Sequence, residues 1–154
     1  MKNEITFTKV DLSYGWLGNM SPYPIEYDGK TWRTSEALFQ ALRFEDEEIR
    51  EIIRGEKSPM GAKMKAKKHK ELMSVIPMSE KDVENMKMCV KLKIDQHENI
   101  RFRLKATGTS KIIEDIGKRN GERHKFWGAK KVDGKWIGDN VMGKIWMEFR
   151  KEII

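Results

Sequence analysis

The sequence predicts an α+β fold, a helix-rich single domain over residues 1–154 with a few short strands and hairpins. Apolar residues recur at helical spacing in several stretches, Val83, Met86, Val90 and Ile94 among them. Short strand-like segments flank Asp-Gly pairs, the signature of tight hairpin turns. The strands do not alternate with helices, so no βαβ series and no doubly wound sheet is expected. No repeat, low-complexity stretch or Pro/Gly/Ser-rich linker divides the chain.

The elements follow in order. Ile5–Val10 alternates apolar and polar residues and reads as a strand. Tyr14-Gly15-Trp16-Leu17-Gly18-Asn19-Met20-Ser21-Pro22-Tyr23-Pro24 reads as an unusually apolar loop. Ile25–Tyr27, Asp28-Gly29 and Lys30–Arg33 form a hairpin. Thr34 caps a helix expected to run to about Phe44, with Ala37, Leu38, Ala41 and Leu42 facing inward. A second helix, Asp46–Arg54, ends at Gly55 as a C′ residue. A third opens at Ser58-Pro59, with proline at its first position. The fourth starts at Ser79-Glu80-Lys81-Asp82, like a capping box with Asp in place of Glu or Gln. A helix over Glu98–Ala106 closes at Thr107-Gly108, and Lys111–Asp115 reads as a strand. Lys131–Trp136 carries Asp133-Gly134 and reads as a second hairpin. The last helix runs from Asn140 to about Glu152, with Met142, Ile145, Trp146, Phe149 and Ile153 on one side.

Composition bounds the function. The chain is 38% hydrophobic and 36% charged, a globular balance, and no apolar run reaches membrane-span length. The opening Met1-Lys2-Asn3-Glu4 has no signal-peptide core, and the lone Cys89 suits a reducing compartment, so a cytoplasmic protein is expected. Cys89 beside Met88 and Val90 reads as a small buried hydrophobe. The net charge of +7 attracts phosphate-bearing ligands, whether nucleotides or nucleic acid. Lys63, Lys65, Lys67, Lys68 and Lys70 form the densest basic run, either a solvated helix face or a phosphate-steering patch.

His69, His97 and His124 stand far apart and share no metal-ligand spacing, so neither metal nor cofactor is expected. The chain has no G-x-S-x-G, Walker or G-x-G-x-x-G motif. Glu36, Gln40 and Arg43, spaced i, i+4 and i+7, share one helix face. A carboxylate, an amide and a guanidinium there can hold a polar ligand, or form the wet stripe of an amphipathic helix. Trp16 and Trp127 are expected in glycine-flanked loops, where an indole can wall a ligand site or pack over the core. In Gly138-Asp139-Asn140-Val141-Met142-Gly143, Asn140 is placed to cap the last helix, whose N-terminus can receive a phosphate or be a plain start.

Taken together, the chain resembles the NADAR superfamily, also called YbiA-like, from about Ile5 to Glu152. The markers occur in order: Tyr14-Gly15-Trp16-Leu17-Gly18-Asn19; Ser21-Pro22-Tyr23-Pro24-Ile25; Gly29-Lys30-Thr31-Trp32; and Thr34-Ser35-Glu36-Ala37-Leu38-Phe39-Gln40-Ala41-Leu42-Arg43-Phe44. Then come Ser58-Pro59-Met60-Gly61-Ala62-Lys63, Leu104-Lys105-Ala106-Thr107-Gly108, Ile113-Glu114, Phe126-Trp127-Gly128, Gly138–Gly143 and Met147-Glu148-Phe149-Arg150. Three positions depart from the family pattern: Ala37 stands for its histidine, Arg43 for its lysine and Gly18 for a serine. Arg43 stays protonated and cannot act as an amine nucleophile or base, which turns attention to Lys63.

The resemblance implies an N-glycosidase acting on a ribosylated base. Two substrate classes follow from it: ADP-ribosyl-guanine in DNA or RNA, and phosphorylated ribosylamino-pyrimidine intermediates of riboflavin synthesis. Cleaving a ribose C–N bond develops oxocarbenium character, which a fixed carboxylate stabilises. Glu36 is expected in that role, with Asp139 a second carboxylate and Lys63 a third catalytic candidate. Asn19 and Asn140 would orient ribose hydroxyls, Trp16 or Trp127 would stack on the base with Gly128 at the ligand site, Gln40 would bind beside Glu36, and Arg43, Lys63 and Arg150 would meet phosphate oxygens. Two other classes compete. A non-catalytic ADP-ribose reader would tolerate loss of Glu36, and a generic nucleic-acid binder would lose affinity steeply with salt.

Overall fold

The computed structural model describes residues 3–153; Met1 and Lys2, part of the N-terminal stretch read above, and Ile154 lie outside the described residues. The architecture is α+β, with seven helices and short two-stranded sheets among the described residues. The chain packs as two compact units, Asn19–His97 and a second made of Met1–Gly18 with Glu98–Ile154.

In the unit Asn19–His97, β2 (Ile25–Tyr27) pairs antiparallel with β3 (Lys30–Trp32) through Asp28 and Gly29, both at positive φ. The Asp-Gly turn therefore has the backbone twist that matches paired strands. Helix α1 (Ser35–Ala41) starts where Thr34 Oγ1 accepts the Ala37 N–H at 3.1 Å. It stops sooner than the apolar spacing suggests. The Arg43 carbonyl turns away to accept the Ser74 and Val75 N–H groups, and the Phe44 carbonyl accepts Arg50 Nε. Asp46 caps α2 (Glu47–Arg54), and Ser58 caps α3 (Pro59–Lys68). Gly55 follows α2 at φ −71°, so it is not the left-handed C′ residue expected; the backbone stays right-handed into the next turn. Helix α4 (Glu80–Gln96) is the longest, and α1 packs against α2, α3 and α4. The α4 C-terminus is tied to β2 by an amide pair: Glu26 N donates to Gln96 Oε1 and Gln96 Nε2 to the Glu26 carbonyl.

In the other unit, β1 (Glu4–Phe7) pairs in parallel with β4 (Lys111–Glu114), Glu4 opposite Lys111. β1 ends before Val10 because Lys9 and Leu12 carbonyls enter successive turns. These lead into a 3-10 turn at Gly15–Leu17, so Trp16 does not lie in open loop. Helix α5 (Glu98–Ala106) precedes β4. Helix α6 (Glu122–Trp127), unforeseen in the sequence, puts Trp127 at a helix end. The hairpin β5 (Lys130–Val132) and β6 (Lys135–Ile137) turns at Asp133-Gly134 as expected. Helix α7 (Val141–Glu152) packs on β4. Gly143 permits this approach, since a Cβ there would stand 2.1 Å from the Ile112 carbonyl oxygen. Trp146 is fully buried, meets Trp16 edge to face at 5.9 Å, and donates its indole N–H to the Leu17 carbonyl.

Asn140 corrects an expectation. It sits in the left-handed region at φ 51° and makes no side-chain cap. Its amide instead bridges to β4, Oδ1 accepting from Glu114 N at 3.0 Å and Nδ2 donating to the Ile112 carbonyl at 2.9 Å. Asn140→Ala is expected to cost about 2 kcal/mol, because it strands a backbone donor and acceptor next to the core. A urea midpoint unchanged in that variant would refute this structural role.

Candidate functional site

The unit Asn19–His97 holds a continuous polar array on α1. Glu36 is half-buried near the helix N-terminus, and its Oε2 accepts from Gln40 Nε2 at 2.7 Å. The Gln40 side-chain Oε1 accepts from Arg43 Nη1 at 3.5 Å. Arg43 then grips Asp82 of α4 with two nitrogens, at 2.9 and 2.8 Å, and lies 4.6 Å above the Phe39 ring. The Asp82 side chain is fully buried, where it pairs with Arg43 and accepts the Met78 N–H at 2.8 Å. This is also why Asp82 does not close a capping box onto Ser79. The i, i+4, i+7 face is thus no solvated stripe: it is a hydrogen-bonded chain fixed at its far end by a buried ion pair.

Asn19 is tied to the same helix start. Its carbonyl accepts the Glu36 N–H at 3.0 Å, and Ser35 Oγ donates to its side-chain oxygen. Its Nδ2 is buried with no hydrogen-bond partner. Leaving such a donor unpaired is costly, so the group calls for a partner such as a ligand or an ordered water.

The sequence reading missed Lys93. It lies on the α4 face that also carries Asp82 and Cys89, and it is 1% exposed. Its Nζ donates to Ser21 Oγ at 2.7 Å and stands 5.2 Å from the Tyr23 ring centroid. Burial holds its pKa down to about 7. A signal was present: Met86, Val90 and Ile94 mark the buried stripe, and Lys93 falls within it. Cys89 is also buried, and burial pushes its thiol pKa up, with Glu36 and Asp82 adding to the effect. It is a poor nucleophile, as its apolar neighbours suggest. Lys63 is half-buried on α3, a helix that packs on α1.

The remaining candidates belong to the other unit. Trp16 is buried and lines an open cleft of about 540 Å³. Trp127 is half-buried and meets Phe126 edge to face. Gly128 has a structural reason: a Cβ there would lie 2.6 Å from the Glu114 carbonyl oxygen. Asp139 is exposed, with its N–H on the Lys125 carbonyl. Arg150 commits Nη1 to the Thr107 hydroxyl and the Ser110 carbonyl, at 3.0 and 2.7 Å. That fixes the α5–β4 connection through one guanidinium nitrogen. Asn140 is likewise committed to β4. Asn19, Glu36, Gln40 and Arg43 are the sequence candidates joined by hydrogen bonds.

The NADAR domain model matches residues 6–154. The N-glycosidase YbiA of Escherichia coli (strain K12) is 35% identical over 150 residues, covering 97% of this chain and 88% of that protein. A riboflavin biosynthesis protein of Vibrio vulnificus (strain YJ016) is 27% identical over 154 residues, 99% of this chain but 39% of that longer protein. The NMR structure of E. coli YbiA superposes with a TM-score of 0.75 at 32% identity, over 99% of this chain and 86% of that one. With the family's motifs spread along the whole length, the protein belongs to the NADAR domain family and is an N-glycosidase.

Proposed function

We propose that the protein hydrolyses the ribose C–N bond of a ribosylated, phosphate-bearing base, with Glu36 as the carboxylate at the reacting carbon. The observation that carries this reading is the pairing of Glu36, oriented by Gln40, with the unpartnered Asn19 Nδ2 at the same helix start. Bond cleavage leaves the electron pair on the base nitrogen and positive character on the anomeric carbon and ring oxygen. A carboxylate held in place by its own helix stabilises that charge without reorganising, and it can take a proton from the attacking water. Asn19 Nδ2 supplies a donor for a ribose hydroxyl.

Arg43 keeps a positive field beside the site but is engaged by Asp82, so its chief role here is to position Gln40. An amine, where the reaction needs one, is better supplied by Lys93 than by Lys63. A buried lysine with a pKa near 7 is neutral in about half of the molecules at pH 7, and a neutral amine is a base and a nucleophile.

Two substrate classes have support. The name of the Vibrio relative favours a phosphorylated ribosylamino-pyrimidine. The strongly basic balance favours a base carried on nucleic acid, as in reversal of guanine ADP-ribosylation. The single cysteine is consistent with action in the reducing cytoplasm. Incubating the protein with each substrate and following products by mass spectrometry separates them. Release of ribose phosphate or of ADP-ribose, lost in Glu36→Gln, is the expected result. Binding of ADP-ribose with no product from either substrate would defeat the proposal.

A further inference from the structure

The basic charge is unevenly spread. The unit formed by Met1–Gly18 and Glu98–Ile154 has sixteen lysines and arginines against ten acids, and Asn19–His97 has fifteen against fourteen. The first therefore carries six of the seven net positive charges. The same unit holds the open cleft of about 540 Å³, lined by Tyr14, Trp16, Phe102, Arg103 and Thr107 among others. Trp16, a base-stacking candidate from the sequence, lines it; Asn19, Glu36, Gln40, Arg43 and Lys93 do not.

Its walls combine aromatic rings with a guanidinium. Phe102 is 75% exposed and lies between Arg101 and Arg103 on α5. A core-packing account fails at that exposure, and α5 already buries Ile100 and Leu104. Trp16 forms part of the cleft's inner wall, fixed by its edge contact with Trp146. The far rim at Thr107 and Ser110 is held by Arg150, so the cleft is built on a supported connection. Flat rings, one of them solvent-exposed, beside a guanidinium in a strongly positive unit match one chemistry: an aromatic base with an adjacent phosphate. The volume lies within the range of small-ligand sites.

We infer that this cleft is a stacking subsite for one nucleotide of a single-stranded nucleic acid, with Phe102 and Tyr14 meeting the base and Arg103 the phosphate. A strand fits better than a free nucleotide because the positive charge extends beyond the cleft. Arg101, Lys105 and Lys111 are exposed near it in sequence, as is Lys9 in the segment before Tyr14. The subsite needs no modified base and stands whether or not Glu36 is catalytic.

The test uses the full chain and a fluorescent twelve-residue oligothymidylate, read by anisotropy at several salt concentrations. Phe102→Ala should weaken binding about ten- to a hundredfold, the range for losing one base stack. Its side chain already faces water, so the fold should hold, as circular dichroism would verify. Arg103→Ala should also weaken binding and make the slope of log affinity against log salt shallower by about 0.7, the change expected when one fewer phosphate is neutralised. Hydrolysis of the free ribosylamino-pyrimidine should be unchanged in Phe102→Ala, which keeps this subsite separate from the reaction. Affinity unaltered in both Phe102→Ala and Arg103→Ala overturns the inference. So does thymidine monophosphate competing as strongly, per site, as the oligonucleotide.

Discussion

Replacing Glu36 by glutamine should lower kcat by about 10²–10⁴-fold, the range for a positioned acid–base group or a charge at the reacting centre. The variant keeps the shape, and its side-chain oxygen can still accept the Gln40 amide now bound at 2.7 Å. Stability should therefore change by less than about 0.5 kcal/mol, as for a substitution that leaves burial and partners in place. Only the negative charge is removed. A selective loss of kcat, with substrate affinity and the urea midpoint retained, is the pattern of an interaction made chiefly in the transition state. Near-normal turnover would transfer the role elsewhere. Asp139 is then the next carboxylate to replace, although it is exposed and no partner fixes its side chain among the described residues.

What the sequence made legible was local. Thr34, Ser58 and Ser79 each cap the helix they precede, because a side-chain oxygen two or three residues from an orphan N–H needs no tertiary help. Asp28-Gly29 and Asp133-Gly134 turn as expected, since their positive φ is a property of those residues. Glu36, Gln40 and Arg43 share a face for the same reason. Expectations failed where distant backbone competed. The parallel partner of β1 lies beyond the whole of Asn19–His97, and nothing in Ile5 or Phe7 names it. Asn140 looks like a cap in sequence, but β4 offers its amide a donor and an acceptor at once. Arg150 fits the family ending, and its place at the α5–β4 connection, with Nη1 on a hydroxyl and a carbonyl of its own unit, has no signal in the local sequence. Lys93 escaped notice because a lysine in a charged helix reads as solvated. Only its place among Met86, Val90 and Ile94 argued otherwise.

Lys93→Met should move stability and activity in opposite directions. Burial lowers the folded-state pKa from the ordinary 10.5 to about 7. Between these values the unfolded chain binds a proton that the native chain refuses. The native state thus loses stability as pH falls from about 10.5 toward 7, at up to about 1.4 kcal/mol per pH unit, with no further loss from this group below 7. Methionine carries no proton and has similar length. The variant should gain a few kcal/mol over the parent at pH 7, and the gap should close toward pH 10.5. Urea midpoints for both proteins across that window measure the difference. Turnover should respond in the other sense. If the neutral amine serves the reaction, parent kcat falls as pH drops through about 7, and Lys93→Met is inactive at every pH despite its greater stability. A variant that is both more stable and fully active would leave Lys93 a structural residue, held by Ser21 and Tyr23, and would return the whole chemical task to Glu36 and its water.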